Sequence, residues 1–560
     1  MTRRVFRLLS FLLVVSGVIP SISAAPTIAS VQNAASNIAF NAPLAQGTIF
    51  VIKGSGLGPA NISFAPAAFQ SASLSGTSVA VTVGTTTVNA LMYYTSASQV
   101  AALLPSNTPT GTGTFTVTYN SQTSNSVNHG VVANNLGIFT IDSSGQGPGI
   151  VTYADYSLVS AAKAANCGGP NTTCGAANPG DTLILWATGL GPVSGTDASG
   201  AGLGENMPNI PLTVWLGGVQ APVTYQGRSG CCVGEDQIVF IVPNNVPTGC
   251  AVPLLVQIGT GTNTISNTTV MAVANGSRNC TPVNPAFASV NIEQAVIAGP
   301  LRFGSITLSK GSNSSGAGLE DDAQFQFANI TAYNPGSQPF FLSWTDDLPL
   351  GTCAVFSNLN GGVNPPISNL VALDAGSSFT VKGPNGSVPV TGKPTKNPGE
   401  FNATISPSAA FLIPGNSYTV SASGGADVGP FSATITYPVQ PTLTSPGSTA
   451  TVTRSSGMTV TWTAASPNEH VQIQISSATD STNTTGATAQ CNAPANAGTF
   501  TIPPYVLLAL PPGKFAAFSF NPITPEVPFT ANGISVGILS TQSDGIAYGF
   551  GTTTGSFTLN

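Results

Sequence analysis

Carboxylates come first among the side chains that could do chemistry, because a glycosidase needs little more than two of them facing each other across a cleft. Three clusters occur, Glu235-Asp236, Glu320-Asp321-Asp322 and Asp346-Asp347. Phe340, Phe341 and Trp344 stand beside Asp346-Asp347 and could serve as sugar platforms. The simpler reading is a solvated strand end or turn next to core aromatics. Glu320, Asp321 and Asp322 also offer the hard oxygens of a calcium site, but no D-x-[DN]-x-[DN]-G loop accompanies them. Nucleophilic catalysis has less support. The two histidines, His129 and His470, are 341 positions apart, whereas a triad needs a histidine within reach of both nucleophile and carboxylate. No G-x-S-x-G elbow, HExxH or GxxxxGK[ST] is present. Gly145-Gln146-Gly147-Pro148-Gly149 runs into Ile150-Val151-Thr152-Tyr153, which has the texture of a strand, so it lacks the helix of a dinucleotide loop and reads as a turn. The sequence therefore assigns no catalytic, cofactor-binding or metal-ligating residue, and no cofactor.

The eight cysteines, Cys167, Cys174, Cys231, Cys232, Cys250, Cys280, Cys353 and Cys491, are disulfide candidates, an even number behind an export signal. Cys167 and Cys174 can close a local Gly/Asn/Pro loop. Adjacent cysteines rarely bond each other, so Cys231 and Cys232 are expected to reach Cys250 and Cys280, in an order the sequence leaves open. Zinc is the weaker alternative, since there is no C-x2-C pair and no histidine nearby. Cys353 and Cys491 either staple two domains or remain free thiols.

The frame that must hold these groups is almost uncharged. Lys, Arg, Asp and Glu make up 6% of 560 residues and the net charge is −6, where an ordinary globular protein is about 25% charged. This composition rules out a basic nucleic-acid surface. A hydrophobic content of 42% argues against disorder, while 62 Gly and 44 Pro favour many short strands over helices. Residues 1–23 read as a signal peptide, with Arg3, Arg4 and Arg7 ahead of an apolar Leu8 to Ile19 and a cut after Ser23. Thr2 to Arg7 also resembles a twin-arginine signal, and the plain secretory reading is preferred. No later apolar run is long enough to span a membrane.

An internal repeat organises the first half of the chain. Gly47 to Pro59 aligns without gaps on Gly180 to Pro192, an offset of 133, and Gln99-Val100 with Pro105 to Gly111 returns on Gln237-Ile238 with Pro243 to Gly249 at an offset of 138. The second copy has gained five residues, around Gly227 to Gly234. Val79, Val81, Val83 and Leu212, Val214, Leu216 alternate as half-buried strands do. Ile49, Val51, Leu183 and Leu185 are expected on inner faces, with Lys53 and Trp186 outward or at an edge.

On these residues the chain resembles IPT/TIG domains, a branch of the immunoglobulin-like fold. Val31 to Ser36, Gly137 to Thr140 and Ser229 to Ile238 are more closely similar to an uncharacterised tandem TIG-like family of secreted soil-bacterial proteins. The resemblance covers about residues 27–284 and brings no catalytic residues with it. Further on, Gln324 to Phe327, Phe379 to Val381 and Tyr418 to Gly424 alternate as strands, and Thr459 to Thr463 with Val471 to Ile475 resembles the Trp-bearing strand pair of fibronectin-like sandwiches. The fold class expected is all-β, a multidomain string of immunoglobulin-like β-sandwiches. The divisions are a signal peptide at 1–23, IPT/TIG-like sandwiches at 24–136 and 137–284, a further β domain at 285–437 and an immunoglobulin/fibronectin-like sandwich at 438–560. The reading that follows is an exported, non-catalytic interaction or structural protein, secreted or at the cell surface. Its partner would be an extracellular glycan or protein, with no nucleic acid and no transmembrane segment. The alternative is a glycan-acting hydrolase built on Asp346-Asp347.

Overall fold

The computed structural model describes residues 25–37, 42–66, 71–161, 174–197, 204–259, 265–284, 300–312, 319–330, 344–359, 370–396, 398–439, 441–479, 485–542, 545–549 and 557–560. The expected signal peptide at 1–23 lies outside the described residues, as do Cys167, Phe340 and Phe341. The regular structure of the described residues is almost entirely β-strand. No helix among them is long and apolar enough to cross a membrane.

Two sheets form the first sandwich. One places Thr27–Asn33, Ile49–Ser55, Gln99–Leu103, Leu91–Thr95 and Ser63–Phe64 side by side in that order. The other runs Leu44–Ala45, Val127–Val132, Gly111–Tyr119, Thr77–Val83 and Ser73–Leu74. Period-two alternation explains the packing: Val79, Val81 and Val83 on one strand and Phe115 and Val117 on its neighbour all point into one core. There Phe115 meets Phe50 edge-on at 5.7 Å. Burial of each such side chain contributes about 1.5–3 kcal/mol.

The second copy repeats the order of the first sheet strand for strand and keeps a shorter version of the other. Gly137–Ile138, Thr182–Thr188, Asp236–Ile241, Val223–Arg228 and Glu205–Asn206 make one sheet, and Val219–Ala221, Leu212–Leu216, Gly249–Ile258 and Thr269–Val273 the other. Leu183 and Leu185 are in its core, Lys53 is exposed and Trp186 half-buried. The expectation for Ile49 and Val51 is corrected. Both are buried, but the sandwich core takes Phe50 and Ile52, the positions that the offset of 133 aligns with Leu183 and Leu185. Ile49 packs from the opposite face, with Leu91, Leu103 and Val233. Both faces of this strand are covered, one by its own partner sheet and one by the second copy.

The C-terminal half does not divide at 437/438. Leu301–Ser312 pairs antiparallel with Leu319–Ile330 on one side and parallel with Val536–Gln542 on the other, so a strand from beyond residue 438 completes the third sandwich. In return, Thr352–Leu359 leaves that region and pairs with Thr485–Pro494 in the fourth. The reason lies in the cores. Phe529 and Leu539 pack with Phe325, Phe327 and Phe379, whereas Cys353 and Val355 pack with Ile473, Phe518 and Trp462. Trp462, on Met458–Trp462, and the strand His470–Ala478 belong to opposite sheets, and Trp462 faces Phe520 across the core at 5.6 Å. Its indole nitrogen donates to the Ala495 carbonyl at 2.8 Å.

Candidate functional site

The second sandwich carries an open, uncharged groove of about 530 Å³. A β-bulge between Val223 and Tyr225 shifts the strand register at one wall, and the connector 207–211 carries the chain from one sheet to the other. Gln226 pins that connector. Its buried amide donates to the carbonyls of Met207 at 2.9 Å and Ile210 at 2.7 Å. Asn206, Gln220, Thr213 and Thr224 offer amides and hydroxyls to the lumen, Pro208 and Leu212 apolar surface, and Tyr225 an aromatic ring. The Tyr225 hydroxyl donates to the Arg228 carbonyl at 2.8 Å, which fixes the ring.

Tyr225 continues onto the outer face of its sheet, where the register sets Tyr225 beside Val239 and Val239 beside Ile184. Two residues from Ile184, Trp186 lies 6.2 Å from the ring of Tyr156, which is 66% exposed. The Trp186 indole nitrogen donates to the Thr152 hydroxyl at 3.0 Å. Tyr156 has a φ of +64°, a left-handed conformation rare for a bulky residue, in a tight turn closed by its own N–H on the Tyr153 carbonyl at 3.0 Å. Tyr156, Trp186 and Tyr225 were not singled out from the sequence as binding residues. The signal that could have found them is aromatic side chains at outward positions of strands, or in a turn, where alternation asks for polar ones.

Among the described residues the carboxylates do not assemble a cleft. The side chains of Asp346 and Trp344 lie outside the description, and Asp347 is 2% exposed in a 3₁₀ turn, Trp344–Asp347. It accepts the Asn284 backbone N–H at 3.0 Å, and Asn284 donates its side-chain amide to Glu526 at 2.9 Å. Asn284 thus fills the space between two carboxyls. Burial pushes Asp347 up to about 7 against the opposing N–H groups of Asn284 and Val283. The enclosed head of Glu526 is pushed up to about 7 in the same way. In the second cluster, strand alternation buries Asp321, where it accepts from the N–H groups of Phe411 and Leu412 at 2.7 and 2.9 Å and pairs with Lys310 at 3.1 Å, while Glu320 and Asp322 are partly exposed. Three carboxylates so divided do not make a calcium cage. His129 is held by the Ala42 carbonyl at 2.8 Å and lies edge-on to Phe115 at 6.1 Å. Burial holds His470 down at about 4.

The third cluster joins the two repeats. Asp236 and Arg228 are directly opposite in a hairpin and are buried at 3.0 Å from each other. Arg228 donates to the carbonyls of Gly191 at 2.8 Å and, in the first sandwich, Gly47 at 3.1 Å. A Cβ on Gly47 would lie 2.6 Å from the guanidinium, so glycine is required there. Asp236 accepts the Leu190 N–H at 2.7 Å, and its carboxyl is pushed up to about 6, burial outweighing Arg228 and the N–H groups of Leu190 and Gly189. Asn33 donates to the Thr188 carbonyl at 3.3 Å, and Thr188 accepts the Ile49 N–H at 2.9 Å and donates to the Gly234 carbonyl at 2.7 Å.

Cysteine pairing departs from expectation. Cys231 bonds its neighbour Cys232, and Cys250 bonds Cys280. The physical reason is placement: Cys231 and Cys232 sit in the hairpin loop 229–235, beside Val233, which packs against the first sandwich, whereas Cys250 is the second residue of the strand Gly249–Ile258. Cys353 bonds Cys491 across two adjacent strands. Cys174 is oxidised, and its expected partner Cys167 lies outside the described residues. Among the described residues, one group brings three metal-type ligand atoms within 4.8 Å of one another, Cys231, Cys232 and Glu235. Two of these are the sulfurs of one disulfide.

Residues 34–130, which make up most of the first sandwich, match the IPT/TIG domain family; one sheet of the second sandwich has the same strand order. No curated protein is significantly similar in sequence. Among solved structures, the chain is similar to a tetra-tandem repeat from the extending region of a large adhesion protein, at 13% identity over 94% of this chain and 100% of that one, with a TM-score of 0.13. It is similar also to SGBP-B from a xyloglucan utilization locus of Bacteroides uniformis, at 11% identity over 68% and 86%, TM-score 0.16. A third is surface layer protein SbsC, domains 4–9, at 12% identity over 91% and 83%, TM-score 0.14.

Proposed function

We propose that the protein is an exported, non-catalytic interaction protein of the cell surface or its surroundings, and that its second sandwich holds a neutral glycan. The observation that carries this reading is the groove beside Tyr225, whose lining contains amides, hydroxyls, apolar surface and an aromatic ring but no charged side chain. A polyhydroxylated ligand needs hydrogen-bonding groups for its hydroxyls and flat apolar surface for its ring faces, with a few convergent polar groups fixing orientation. The aromatic pair Tyr156 and Trp186 extends the apolar surface on the same sandwich. Disulfides support an oxidising compartment. The buried, hydrogen-bonded placement of Asp347 and Asp321 supports binding without turnover.

The test is a glycan array probed with the full chain, followed by titration of Tyr225→Ala and Trp186→Ala variants whose circular dichroism is unchanged. Loss of a ring contact worth about 1.4 kcal/mol weakens binding about tenfold. An array without binders, or Tyr225→Ala binding as tightly as the wild type, refutes the groove. Release of shortened glycan that disappears with Asp347→Asn would make the protein a hydrolase instead.

A further inference from the structure

We propose that Cys231–Cys232 is a thiol–disulfide exchange site, and that its reduction by an external dithiol loosens the second sandwich from the first. Three observations meet at this loop. The five residues by which the second repeat exceeds the first fall around it, and its disulfide joins residues one apart. Disulfides stabilise chiefly by restricting the unfolded chain, more so for longer loops, so a bridge between neighbours restricts almost nothing. A staple is therefore not what this bond supplies. What it fixes is the backbone of 231–232, in the residues immediately before Val233.

Val233 and Gly234 are the residues by which this loop touches the first sandwich. Val233 is buried among Ile49, Leu91 and Leu103, and Tyr93 donates its hydroxyl to the Val233 carbonyl. Gly234 has a φ of +77°, and a Cβ there would lie 2.5 Å from Leu103 Cδ1 and 2.8 Å from Ile49 Cγ1. Its carbonyl accepts from Thr188, which also receives the Ile49 N–H. The loop is closed at its base by the Ser229 N–H on the Glu235 carbonyl at 2.8 Å and by the pair Arg228 and Asp236. Between base and contact, the Cys231 N–H donates to the Ser229 hydroxyl at 3.2 Å and the Glu235 N–H to the Cys232 carbonyl at 3.3 Å, and the 231–232 ring adds a covalent restraint.

Access also grades the described disulfides. Cys231 is exposed and Cys232 half-buried, Cys250 and Cys280 are both half-buried, and Cys353 and Cys491 are 7% and 1% exposed inside a sheet; the more exposed disulfides are the more labile. A thiolate of the reductant attacks Cys231 Sγ, the S–S bond breaks, and Cys232 leaves as a thiolate that takes up a proton. The second thiol of the reductant then attacks the mixed disulfide, closes its own disulfide and releases Cys231 as a thiol. Two electrons and two protons pass from the dithiol to the protein.

The full chain is exposed to graded dithiothreitol, alkylated, and divided between peptide mapping and hydrogen exchange. Cys231 and Cys232 should be alkylated first, while Cys250, Cys280, Cys353 and Cys491 are still oxidised. In that state the amides of Ile49–Ser55 and Gln99–Leu103 should exchange about tenfold faster, equivalent to about 1.4 kcal/mol, with Gly111–Tyr119 in the same sandwich unchanged. The variant Cys231→Ser/Cys232→Ser should reproduce this pattern without reductant. Reduction of Cys250–Cys280 or Cys353–Cys491 ahead of Cys231–Cys232 overturns the proposal, as does selective reduction, or the serine variant, leaving exchange as in the oxidised protein.

Discussion

Arg228→Met tests how the first two sandwiches are joined. The side chain is 3% exposed, 3.0 Å from a carboxylate that is 0% exposed, and it satisfies the carbonyls of Gly47 and Gly191. Methionine fills similar space without charge, so the variant leaves Asp236 buried and unpaired along with two carbonyls. Removing one partner of a buried pair costs about 3–5 kcal/mol. The wild-type pair is itself poorly compensated, since Arg228 Nε and Asp236 Oδ1 have no aligned hydrogen-bond partner and burial already raises Asp236 from 3.8 to about 6. A raised carboxyl contributes stability that is complete below its unfolded value near 4 and lost as pH climbs through its folded value. Without the cation that value rises further, so the cost of Arg228→Met is greater at pH 8 than at pH 5. The assay is hydrogen exchange of the strand Asp236–Ile241 at both pH values, because a chain of several sandwiches has no single unfolding free energy. The second arm is Arg228→Met/Asp236→Leu, which removes both charges and should recover most of the loss. A single-variant cost below about 1 kcal/mol, or a cost independent of pH, would refute the reasoning.

Three further outcomes are expected. Asp347, raised by burial from 3.8 to about 7, contributes stability present below pH 4 and lost as pH rises through 7; Asp347→Asn should flatten this part of the stability curve, by up to about 4 kcal/mol in total, and equal slopes in scans at pH 5 and pH 8 would contradict it. Cys353→Ala/Cys491→Ala opens a bridge with a sequence separation of 138 and should destabilise the fourth sandwich by up to about 5 kcal/mol in the chain-entropy account, read from hydrogen exchange of the strand His470–Ala478. Gly234→Ala should raise exchange in Ile49–Ser55 more than Gly259→Ala does, since a Cβ at Gly234 meets Leu103 and Ile49 whereas one at Gly259, also at positive φ, meets nothing within 4 Å.

Period-two alternation and the repeat made the sandwiches legible, since each strand must bury one face and turns recur between them. Alternation could not say which face of Ile49–Ser55 met the core, because both are apolar: Phe50 and Ile52 point into the sandwich, Ile49 toward the second repeat. The repeat alignment held that information, in the pairing of Phe50 with Leu183. Strand pairing at long range was not legible. Nothing in the composition of Val536–Gln542 names Leu301–Ser312 as its neighbour, and hydrophobic pattern specifies a face rather than a partner. The cysteines were legible as a set, while the bond between Cys231 and Cys232 depends on a loop whose position is set by the neighbouring sandwich. The aromatic surface was hidden for a similar reason, as Tyr225 and Trp186 read as ordinary strand residues until the sheet shows them facing out.

The exchange of strands between the third and fourth sandwiches also dictates a timetable. Leu301–Ser312 can zip to Leu319–Ile330 as soon as both have been made, but its other edge waits for Val536–Gln542. At about 5–20 residues per second, the 224 positions by which Val536 follows Ser312 take roughly 10–45 s to synthesise. Cys353 waits likewise for Cys491, emerging after Cys250 and Cys280 have already come within reach of each other. During that interval the chain carries an open sheet edge, a hazard for pairing with other molecules, and an uncommitted thiol. Neither sandwich can therefore be finished while the chain is still growing through the other, and the two mature as a single late event.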